Sequence, residues 1–445
     1  MYSKTYTAAL NGVQSRIISV ETDVSDGLPV FAMVGYLGSE VKEAQERVRT
    51  ALRNSGFPMQ PKRIMVSLAP ADIRKSGSGY DLPIAVALLA AHHVLSAEAL
   101  KGMFFAGELG LDGRVCGIRG ILGMVMEAKK AGFTACVIPE ENLAEGGVIQ
   151  GIDVYGVSTL RDVVEHMLGI RQLKKAAINI EEKLHEPPSR MEKDFADIRG
   201  QALAKRAAEI AAAGMHNLLL TGQAGVGKTM IAQRIPGILP PLHPDEALEV
   251  TQIHSVAGTL PGEGLITQRP FRMPHHTVSA AALAGGGVIP RPGEISLAHR
   301  GVLYLDELPE FQRETLEILR QPLEEGEVRI SRSSGQYIFP ADFMLVASRN
   351  PWLCGFYPDR SRCTCSEGEI RSYLHRISRP LLDRIDLHAE VRPVTYQELS
   401  DCGPEEGSLE IRERVLHAQE IQNRRYQGTE IRFNAALPPS QIEKY

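Results

Sequence analysis

Hydrophobic and polar positions follow two different rhythms along the first part of the chain. Short apolar runs bounded by polar residues predict β-strands, and they occupy residues 17–22, 31–34, 63–68 and 137–138. Apolar residues spaced by three and four predict an amphipathic helix over 40–54, and an almost wholly apolar stretch predicts a buried helix over 83–93. This mixture of elements predicts an α/β or α+β domain over residues 1–170.

A second pattern fills the later part of the chain, where continuous apolar runs end in polar residues. Such runs predict strands of a parallel sheet that is covered on both faces. They occupy residues 217–220, 302–305 and 343–348. Between the two parts, the charged stretch 171–193 with its Pro187-Pro188 pair predicts a linker. Near the end, 411–425 predicts an amphipathic helix, whose apolar stripe is Val415, Ala418 and Ile421.

The loop after the first apolar run of the later part has the spacing of a phosphate-binding loop. Gly222 is followed by four residues and then by Gly-Lys-Thr, between a predicted strand and a predicted helix. Glycines let successive N–H groups point at phosphate oxygens, and the helix presents its positive end to the same anion. We expect Lys228 to reach the β/γ-phosphates of ATP, and Thr229 to help hold Mg²⁺. The predicted nucleotide-binding residues are Gly222, Gln223, Ala224, Gly225, Val226, Gly227, Lys228 and Thr229.

Two carboxylates follow the second apolar run. Asp306 and Glu307 come directly after residues 302–305, where a strand of a P-loop protein ends in an acidic pair. The first carboxylate of such a pair coordinates Mg²⁺, often through water, and the next can activate the attacking water. We therefore predict that Asp306 is a Mg²⁺ ligand and that Glu307 is the catalytic base.

Composition narrows the class of protein. A chain of 445 residues predicts two or three domains, and 43% apolar with 23% charged residues is ordinary for a soluble protein. The sequence has no transmembrane-length apolar stretch and no apolar region of a signal peptide at its start. Six cysteines in so long a chain fit the reduced cytoplasm. Because the net charge is −5, nucleic-acid binding would need a local patch or a ring of subunits.

Part of the first domain resembles the proteolytic domain of Lon-type proteases. The residues that carry the resemblance are 107–115, 117–120 and 137–142. That family uses a Ser–Lys dyad, whose positions fall here on Gly79 and Leu122. The resemblance therefore implies a Lon-like α+β domain, of the ribosomal protein S5 domain 2-like fold, that lacks the activated hydroxyl of a protease. A displaced dyad of Lys75 with Ser76 or Ser78 is the alternative.

Segments between the P-loop and Asp306 resemble the signature of magnesium-chelatase-type AAA+ proteins. They are 269–277, 285–287 and 290–299. With the Lon-like domain, the chain is similar to the YifB/ComM family across nearly its whole length. The resemblance implies an ATP-driven hexameric helicase that acts on single-stranded or branched DNA and promotes branch migration during natural transformation. It also implies four regions, namely a Lon-like domain 1–170, a linker 171–193, an AAA+ core 194–393 and a partial helical lid 394–445.

The same resemblance assigns roles to single residues. Asn350 would be the polar sensor 1 residue that orients the attacking water, and Ile198 a contact of the adenine. The segment 381–386 resembles an arginine-finger box. Arg384 would then complete the site of a neighbouring subunit, which implies a homo-oligomeric ring. Local pairing of Arg384 with Asp383 or Asp386 is the alternative.

Basic side chains in two places are candidates for DNA contacts. Residues 328–339 predict a hairpin that carries Arg329 and Arg332, and such hairpins in a ring would contact phosphates without reading sequence. On the polar face of the predicted helix 40–54, Lys42 and Arg49 offer phosphate contacts. The alternative for that face is an ordinary solvated surface.

Metal other than Mg²⁺ has weaker support. Cys354, Cys363 and Cys365, with His375 or His388 as a fourth ligand, are a conceivable zinc set, and small buried thiols are the alternative. The adjacent pair His275-His276 is expected to point in opposite directions and so not to share a metal.

The functional alternatives to a DNA motor are three. They are a chelatase-like motor that remodels a protein partner or inserts a metal, an ATP-dependent protease, and a non-hydrolysing scaffold. The intact Asp306-Glu307 pair argues against the scaffold.

The resemblance also implies further lid helices with a sensor 2 arginine, which the sequence up to Tyr445 does not show. We therefore expect weak ATP turnover from the chain as it stands.

Overall fold

The chain forms two compact units, each with its own core. The structure, a computed structural model, describes residues 1–176, 178–185, 193–332, 335–351, 366–394 and 405–445. The first unit consists of residues 1–183, 251–266 and 331–337, and the second of residues 184–250, 267–330 and 338–445. The division between 183 and 184 falls inside the segment 171–193.

Nine strands and six helices lie among the described residues of the range 1–185. The strands are β1 Tyr2–Asn11, β2 Gln14–Ser25, β3 Val30–Val34, β4 Arg63–Ala69, β5 Met103–Phe105, β6 Glu108–Leu109, β7 Val115–Cys116, β8 Ala135–Pro139 and β9 Asp153–Val157. The helices are α1 Ser39–Asn54, α2 Asp81–Ala91, α3 Ile121–Lys130, α4 Leu143–Gly146, α5 Leu160–Met167 and α6 Ile180–His185. The strands and helices predicted from the apolar pattern are confirmed here.

The later part of the chain contains nine more strands and ten more helices among the described residues. The strands are β10 Leu218–Thr221, β11 Phe271–Arg272, β12 Gly285–Gly286, β13 Arg291–Pro292, β14 Val302–Leu305, β15 Glu327–Arg332, β16 Gly335–Pro340, β17 Met344–Arg349 and β18 Leu387–Glu390. The helices are α7 Ala202–Gly214, α8 Lys228–Ile238, α9 Pro244–Ala257, α10 Ala280–Ala284, α11 Glu294–Leu297, α12 Arg313–Glu317, α13 Arg320–Glu325, α14 Glu367–Leu374, α15 Arg379–Leu382 and α16 Ser408–Arg425.

The first unit is built on a four-stranded sheet of order β1-β2-β4-β3 and a three-stranded parallel sheet of order β5-β8-β9. Helix α1 buries one face, and helix α2 is buried along its whole length, as its continuous apolar sequence predicts. The buried α1 residues include the predicted stripe Val41, Ala44, Val48 and Ala51. These helices share one core with the inner faces of β2 and β4.

The second unit is built on a five-stranded parallel sheet of order β11-β14-β17-β10-β18. Its central strands β10, β14 and β17 are the three apolar runs predicted from the sequence. Because they are parallel neighbours, their carboxyl ends lie at one edge of the sheet, where α/β proteins bind ligands. Together the two units give the predicted α/β class, with a P-loop domain and a separate N-terminal domain.

Helix α16 turns a different face to the core than its apolar residues predict. Ile411 and Val415 are buried, but Ile421 is exposed and Gln422 is buried instead. The Gln422 side chain donates a hydrogen bond to the Ala213 carbonyl at 2.8 Å, so the buried amide is satisfied. The prediction that Ile421 belongs to the buried stripe is therefore wrong. None of the helices described has both the length and the hydrophobicity that a membrane crossing requires.

An ion cluster beside α9 makes a pH-dependent contribution to stability. A hydrogen bond with His299 and contacts with Arg300 lower the pKa of Glu249 to about 2 from 4.5, against the raising effect of burial. A carboxyl with a depressed pKa stabilises the fold above its unfolded pKa and loses that effect as pH falls through the folded value. We expect Glu249→Gln to lower the urea midpoint at pH 7, and the deficit to shrink between about pH 4.5 and about pH 2. A deficit that stays constant over that range would contradict this assignment.

Candidate nucleotide-binding site

The P-loop connects β10 to α8 with glycines where the backbone needs them. Gly227, which precedes α8, has φ of 98°, a conformation that L-residues with a Cβ rarely adopt. Gly222 packs against the residue that follows β18, since a Cβ there would lie 2.3 Å from the Val391 carbonyl oxygen. The loop tip, Gln223, Ala224 and Gly225, is exposed, and Val226 is half-buried. The loop is therefore open to an anion at its tip and tightly packed at its base.

The Lys228 side chain binds backbone oxygens of the P-loop itself. Its Nζ atom donates to the carbonyl oxygens of Gly222 at 2.7 Å and Gln223 at 2.8 Å, and to Asn350 Oδ1 at 3.0 Å. Burial lowers the pKa of Lys228, while the nearby carboxylates of Asp306 and Glu307 act in the opposite direction. The lysine is thus held by neutral oxygens, which a phosphate can replace with a stronger charge-assisted contact.

Asp306 stands at the carboxyl end of β14 within a group of hydroxyls. Thr229 Oγ1 donates to Asp306 Oδ2 at 3.0 Å, and Tyr304 OH donates to Oδ1 at 2.8 Å. Ser348 Oγ donates to the same Oδ1 atom. Burial raises the pKa of Asp306, but the hydrogen bonds from Ser348, Tyr304 and Thr229 outweigh it and hold the pKa below its usual value. The carboxylate is therefore charged and already beside the predicted Mg²⁺-binding hydroxyl.

Two of these hydroxyls were missed in reading the sequence. Tyr304 lies two residues before Asp306, and Ser348 lies two residues before Asn350. Side chains two positions apart on a strand lie on the same face. Tyr304 therefore lies on the face of Asp306, and Ser348 on the face of Asn350. A polar residue two positions before a predicted ligand, inside an otherwise apolar strand, was the available signal.

Glu307 has a fixed backbone and an exposed side chain. Its φ of 52° lies in the left-handed region, which costs a non-glycine residue roughly 1–3 kcal/mol. Its N–H bonds to Ser348 Oγ at 3.0 Å and to Asp306 Oδ1 at 3.1 Å, which offsets that cost. The Glu307 carboxylate lies beyond the end of β14. It is not bound by the side-chain hydroxyls that surround Asp306.

The residues present fit Mg²⁺ and ATP. The adjacent oxygens of Thr229 and Asp306 are hard ligands of the kind Mg²⁺ uses alongside phosphate and water. A Cβ built on Gly227 would meet no atom within 4 Å, so the loop leaves room for phosphates. When bound, Mg²⁺ would neutralise charge on the phosphate oxygens. In the described ranges no cluster of three or more His, Cys, Asp or Glu residues forms a metal site.

Of the residues assigned by resemblance, Asn350 lies at the site, whereas the Ile198 side chain is buried. The Asn350 carboxamide accepts from Lys228, and its backbone carbonyl accepts from Tyr373 OH at 3.1 Å. Ile198 is only 5% exposed and packs in the core with Phe195. Asn350 is thus close enough to the lysine to respond to a phosphate, whereas an adenine contact through Ile198 stays a prediction.

Arg384 lies on the surface, paired within its own chain. Its guanidinium is 2.6 Å from Glu324 Oε1, and both side chains are more than 40% exposed. Asp386, one of the pairing partners considered from sequence, instead accepts from the Asn217 N–H at 2.9 Å. The local partner is therefore Glu324 on α13. An exposed pair of this kind is weak and can be exchanged for another anion.

The predicted DNA contacts differ in how free their charges are. Arg329 on β15 pairs with Glu327 at 2.5 Å and with Glu325 at 3.6 Å. Arg332 ends β15 and is exposed, and among the described residues the hydrogen bond that it donates is a long one to the Ser331 carbonyl. The β15–β16 ribbon confirms the predicted hairpin. Within the part of the chain that the structure describes, Arg329 is paired with carboxylates and Arg332 is not.

The basic side chains of α1 also differ in whether they are paired with a carboxylate. Lys42 and Arg49 are exposed. Arg47, on the same basic face, turns inward and makes two bonds to the buried Asp81 carboxylate, at 2.7 and 3.0 Å. Burial raises the pKa of Asp81 to about 6 even so. The α1 surface is therefore less basic than its sequence indicates.

The candidate protease positions hold no assembled dyad. Leu122 is fully buried, and a Cβ on Gly79 would lie 2.8 Å from Ile118 Cδ1. In the displaced alternative, Lys75 Nζ donates to the Pro70 carbonyl, and Ser78 donates to Glu108. Both side chains therefore bind groups other than each other.

Of the metal candidates, the three cysteines 354, 363 and 365 lie outside the described residues, so zinc stays a prediction. His275 and His276 do not point apart as expected. Their rings lie 4.1 Å apart at 34°, because the chain leaves β11 in an irregular turn rather than as an extended strand.

Comparisons with known proteins place the chain in a family. The family model described as magnesium chelatase, subunit ChlI, matches residues 194–399, and that described as subunit ChlI of Mg-chelatase matches residues 20–142. The chain is 43% identical over 440 residues to the competence protein ComM of Haemophilus influenzae, covering 99% of this chain and 85% of that protein. It is 43% identical over 443 residues to the uncharacterized protein YifB of Escherichia coli, with the same coverage.

A more distant relative is the magnesium-chelatase 67 kDa subunit of Chlorobaculum tepidum. It is 28% identical over 204 residues, which are 45% of this chain and 27% of that protein. The long matches extend over both units, and the 194–399 match contains the P-loop, Asp306 and Asn350. The chain therefore belongs to the YifB/ComM family of magnesium-chelatase-like AAA+ proteins.

Proposed function

We propose that the protein is an ATP-hydrolysing motor that works as a ring of identical subunits on single-stranded or branched DNA. In this proposal Lys228 and Thr229 hold the nucleotide with Mg²⁺, Asp306 binds the metal, and Glu307 activates water. Asn350 orients that water, and Arg384 serves the site of the next subunit. Branch migration of recombining DNA is the activity that we infer for the motor.

The observation that carries the ATPase proposal is the contact of Thr229 with Asp306 at 3.0 Å. Thr229 lies at the start of α8 and Asp306 follows β14, yet the fold brings their oxygens together beside the P-loop lysine. Hydrogen bonds from Tyr304 and Ser348 fix the Asp306 carboxylate before any ligand arrives. Such preorganisation reduces the reorganisation needed when charge develops on the phosphates.

Two features support DNA as the track. A relative of 43% identity over nearly the whole chain is named for competence, the ability of cells to take up DNA. The β15–β16 hairpin presents Arg332 with no carboxylate partner recorded in the described part of the chain. One such arginine from each subunit would line a ring with phosphate contacts that do not depend on sequence.

ATP hydrolysis measured with and without DNA tests this proposal. We expect single-stranded or branched DNA to raise kcat of the full-length protein severalfold, with Lys228→Ala inactive under all conditions. Arg332→Ala should weaken the stimulation and its dependence on salt, because a phosphate contact is lost. Arg329→Ala is the matched control, since Arg329 is already paired with glutamates. If no DNA changed the rate of ATP hydrolysis, the proposal that the motor acts on DNA would be contradicted. The proposed nucleotide-binding site would be unaffected.

A second candidate is a chelatase-like motor that remodels a protein partner or inserts a metal. Both family matches, over 20–142 and 194–399, carry the description of a magnesium-chelatase subunit. Stimulation by a protein partner in place of DNA would favour it.

We further propose that region 1–170 is a Lon-like domain without protease activity, joined by the linker 171–193 to the motor 194–393 and lid 394–445.

A further inference from the structure

Strand β3 is the edge strand of the four-stranded sheet in the first unit. It is bonded to β4 on one side, with Val30 opposite Arg63 and Val34 opposite Ser67. Among the residues that the structure describes, no segment is hydrogen-bonded to its other side. All five of its residues are apolar, so the strand lacks the charges and prolines that usually protect an edge from pairing. The backbone of β3 is therefore free to bind another strand.

One face of β3 forms an exposed apolar patch together with β4. Val30 and Val34 are each 50% exposed, and Ala32 between them is half-buried. Met65 lies opposite Ala32 in the register of β4 and is 39% exposed. Leu28, which precedes the strand, is 85% exposed. Exposed apolar side chains that adjoin one another in this way mark an interaction surface.

The apolar pattern of β3 is self-complementary in an antiparallel arrangement. When two copies pair about Ala32, Val30 of each copy faces Val34 of the other. Ala32 then faces its own counterpart, and its small side chain allows a close approach at the axis. The pattern therefore fits a second copy of the same strand without placing a charge or a large side chain at the centre.

The two ends of the strand carry opposite charges. Before β3, the Asp26 side chain is 95% exposed and pairs with Lys62 at 3.2 Å, a contact weak enough to be exchanged. After β3, the Arg74 guanidinium lies 6.0 Å from the centre of the Tyr36 ring, and no carboxylate pairs with it in the described ranges. The Lys75 N–H donates to the Tyr36 carbonyl at 2.9 Å, which fixes Arg74 beside this end of the strand.

The antiparallel register brings these opposite ends together. Asp26 precedes Ala32 by as many residues as Gly38 follows it, so Asp26 of one copy lies at the level of Gly38 of the other. The Gly38 N–H donates to the carbonyl of the residue after Arg74 at 2.8 Å. An acidic and a basic side chain therefore meet at each end of the pair, on either side of the apolar centre. This charge complementarity favours a second copy over an unrelated chain.

We propose that the free edge of β3 binds β3 of a second copy of this chain, antiparallel and centred on Ala32. The contact joins the two four-stranded sheets edge to edge. Because both copies contribute the same surface, the contact is isologous and closes on a pair. It is distinct from the head-to-tail ring proposed above, and it requires neither ATP nor DNA. Where rings form, the same contact joins two rings.

Sedimentation of the full-length protein without nucleotide tests the register through two double variants. Val30→Lys with Val34→Lys places like charges opposite each other in both cross-strand pairs, so we expect the mass of the particle to halve. Val30→Lys with Val34→Glu changes the same two positions but places lysine opposite glutamate in both pairs, and it should keep the wild-type mass. Both double variants should unfold at the same temperature, because the two side chains are half-exposed in the separate subunit.

A control variant and a cross-link make the test specific to β3. Leu111→Lys with Ile170→Lys removes two exposed apolar side chains elsewhere in the first unit, 57% and 71% exposed, and should keep the wild-type mass. Ala32→Cys places two thiols opposite each other, where cross-strand Cα atoms lie about 4.5–5.5 Å apart, within the range of a disulfide. With copper phenanthroline as oxidant, it should give a covalent dimer on a non-reducing gel, whereas Leu111→Cys should not.

The outcomes separate this inference from the proposed function. Lys228→Ala, which is expected to be inactive in ATP hydrolysis, should pair like the wild type, so failure of the motor assignment leaves the pairing unaffected. If the wild-type mass equals that of the Val30→Lys, Val34→Lys variant, the edge does not bind a second copy and the inference is overturned. Halving of the mass by Val30→Lys with Val34→Glu, or absence of the Ala32→Cys cross-link, would overturn it equally.

Discussion

Glu307→Gln is expected to lower kcat for ATP hydrolysis by about 10²–10⁴-fold, the contribution of a general base, while ATP still binds. The amide keeps the size of the side chain and the backbone bonds to Ser348 and Asp306, but it cannot accept a proton. The P-loop contacts of Lys228 and the Thr229–Asp306 pair are untouched. Binding of a fluorescent ATP analogue and steady-state hydrolysis, measured on the same preparation, test both halves of the expectation.

A matched control lies three residues along the chain. Glu310 is also exposed and pairs with Arg376 at 2.9 Å, so Glu310→Gln removes a carboxylate from the same turn without removing the predicted base. It should keep most of the activity. If both variants lose activity equally, the turn 307–310 matters as a whole and Glu307 has no special role. If neither does, the base must be sought elsewhere.

The sequence predicted the parts of the site that depend on local pattern. The P-loop spacing, the acidic pair after β14 and the three apolar strands are each set by neighbouring residues, and all three strands lie where they were predicted. The parallel order of the sheet then places Thr221 beside Arg349 and Leu305 beside Ala347. That order brings Asp306 and Asn350 to the P-loop, although long stretches of chain separate them.

What the sequence did not predict depends on contacts between distant segments. The closeness of the His275 and His276 rings depends on the irregular turn after β11, which no local pattern reveals. Arg329 is a free positive charge in the sequence-based prediction, but the structure places its partner Glu327 beside it. Gln422 replaces Ile421 in the core of the second unit because Ala213 offers it a hydrogen-bond acceptor. In each case tertiary partners override the propensity of the residue itself.

Arg384→Ala is expected to lower kcat by about 10³-fold or more, as loss of an arginine finger does in other phosphoryl-transfer enzymes. In the chain described here the guanidinium is bound to Glu324 on the surface rather than to its own P-loop, so its proposed target is the neighbouring subunit. The effect should therefore appear only under conditions in which subunits associate. Arg392→Ala, which removes another exposed arginine paired with a glutamate, is the matched control and should retain activity.

Mixing subunits tests that geometry directly. Lys228→Ala subunits lack a working P-loop but keep Arg384, and Arg384→Ala subunits lack the finger but keep the P-loop. Each is inactive alone, yet in a head-to-tail ring of equal parts about a quarter of the interfaces join an intact P-loop to an intact finger. Mixing two inactive proteins should therefore restore about a quarter of the wild-type rate. No restoration, with rings shown to form and exchange, would mean that Arg384 acts within its own subunit, because only a residue supplied across an interface can be complemented in this way.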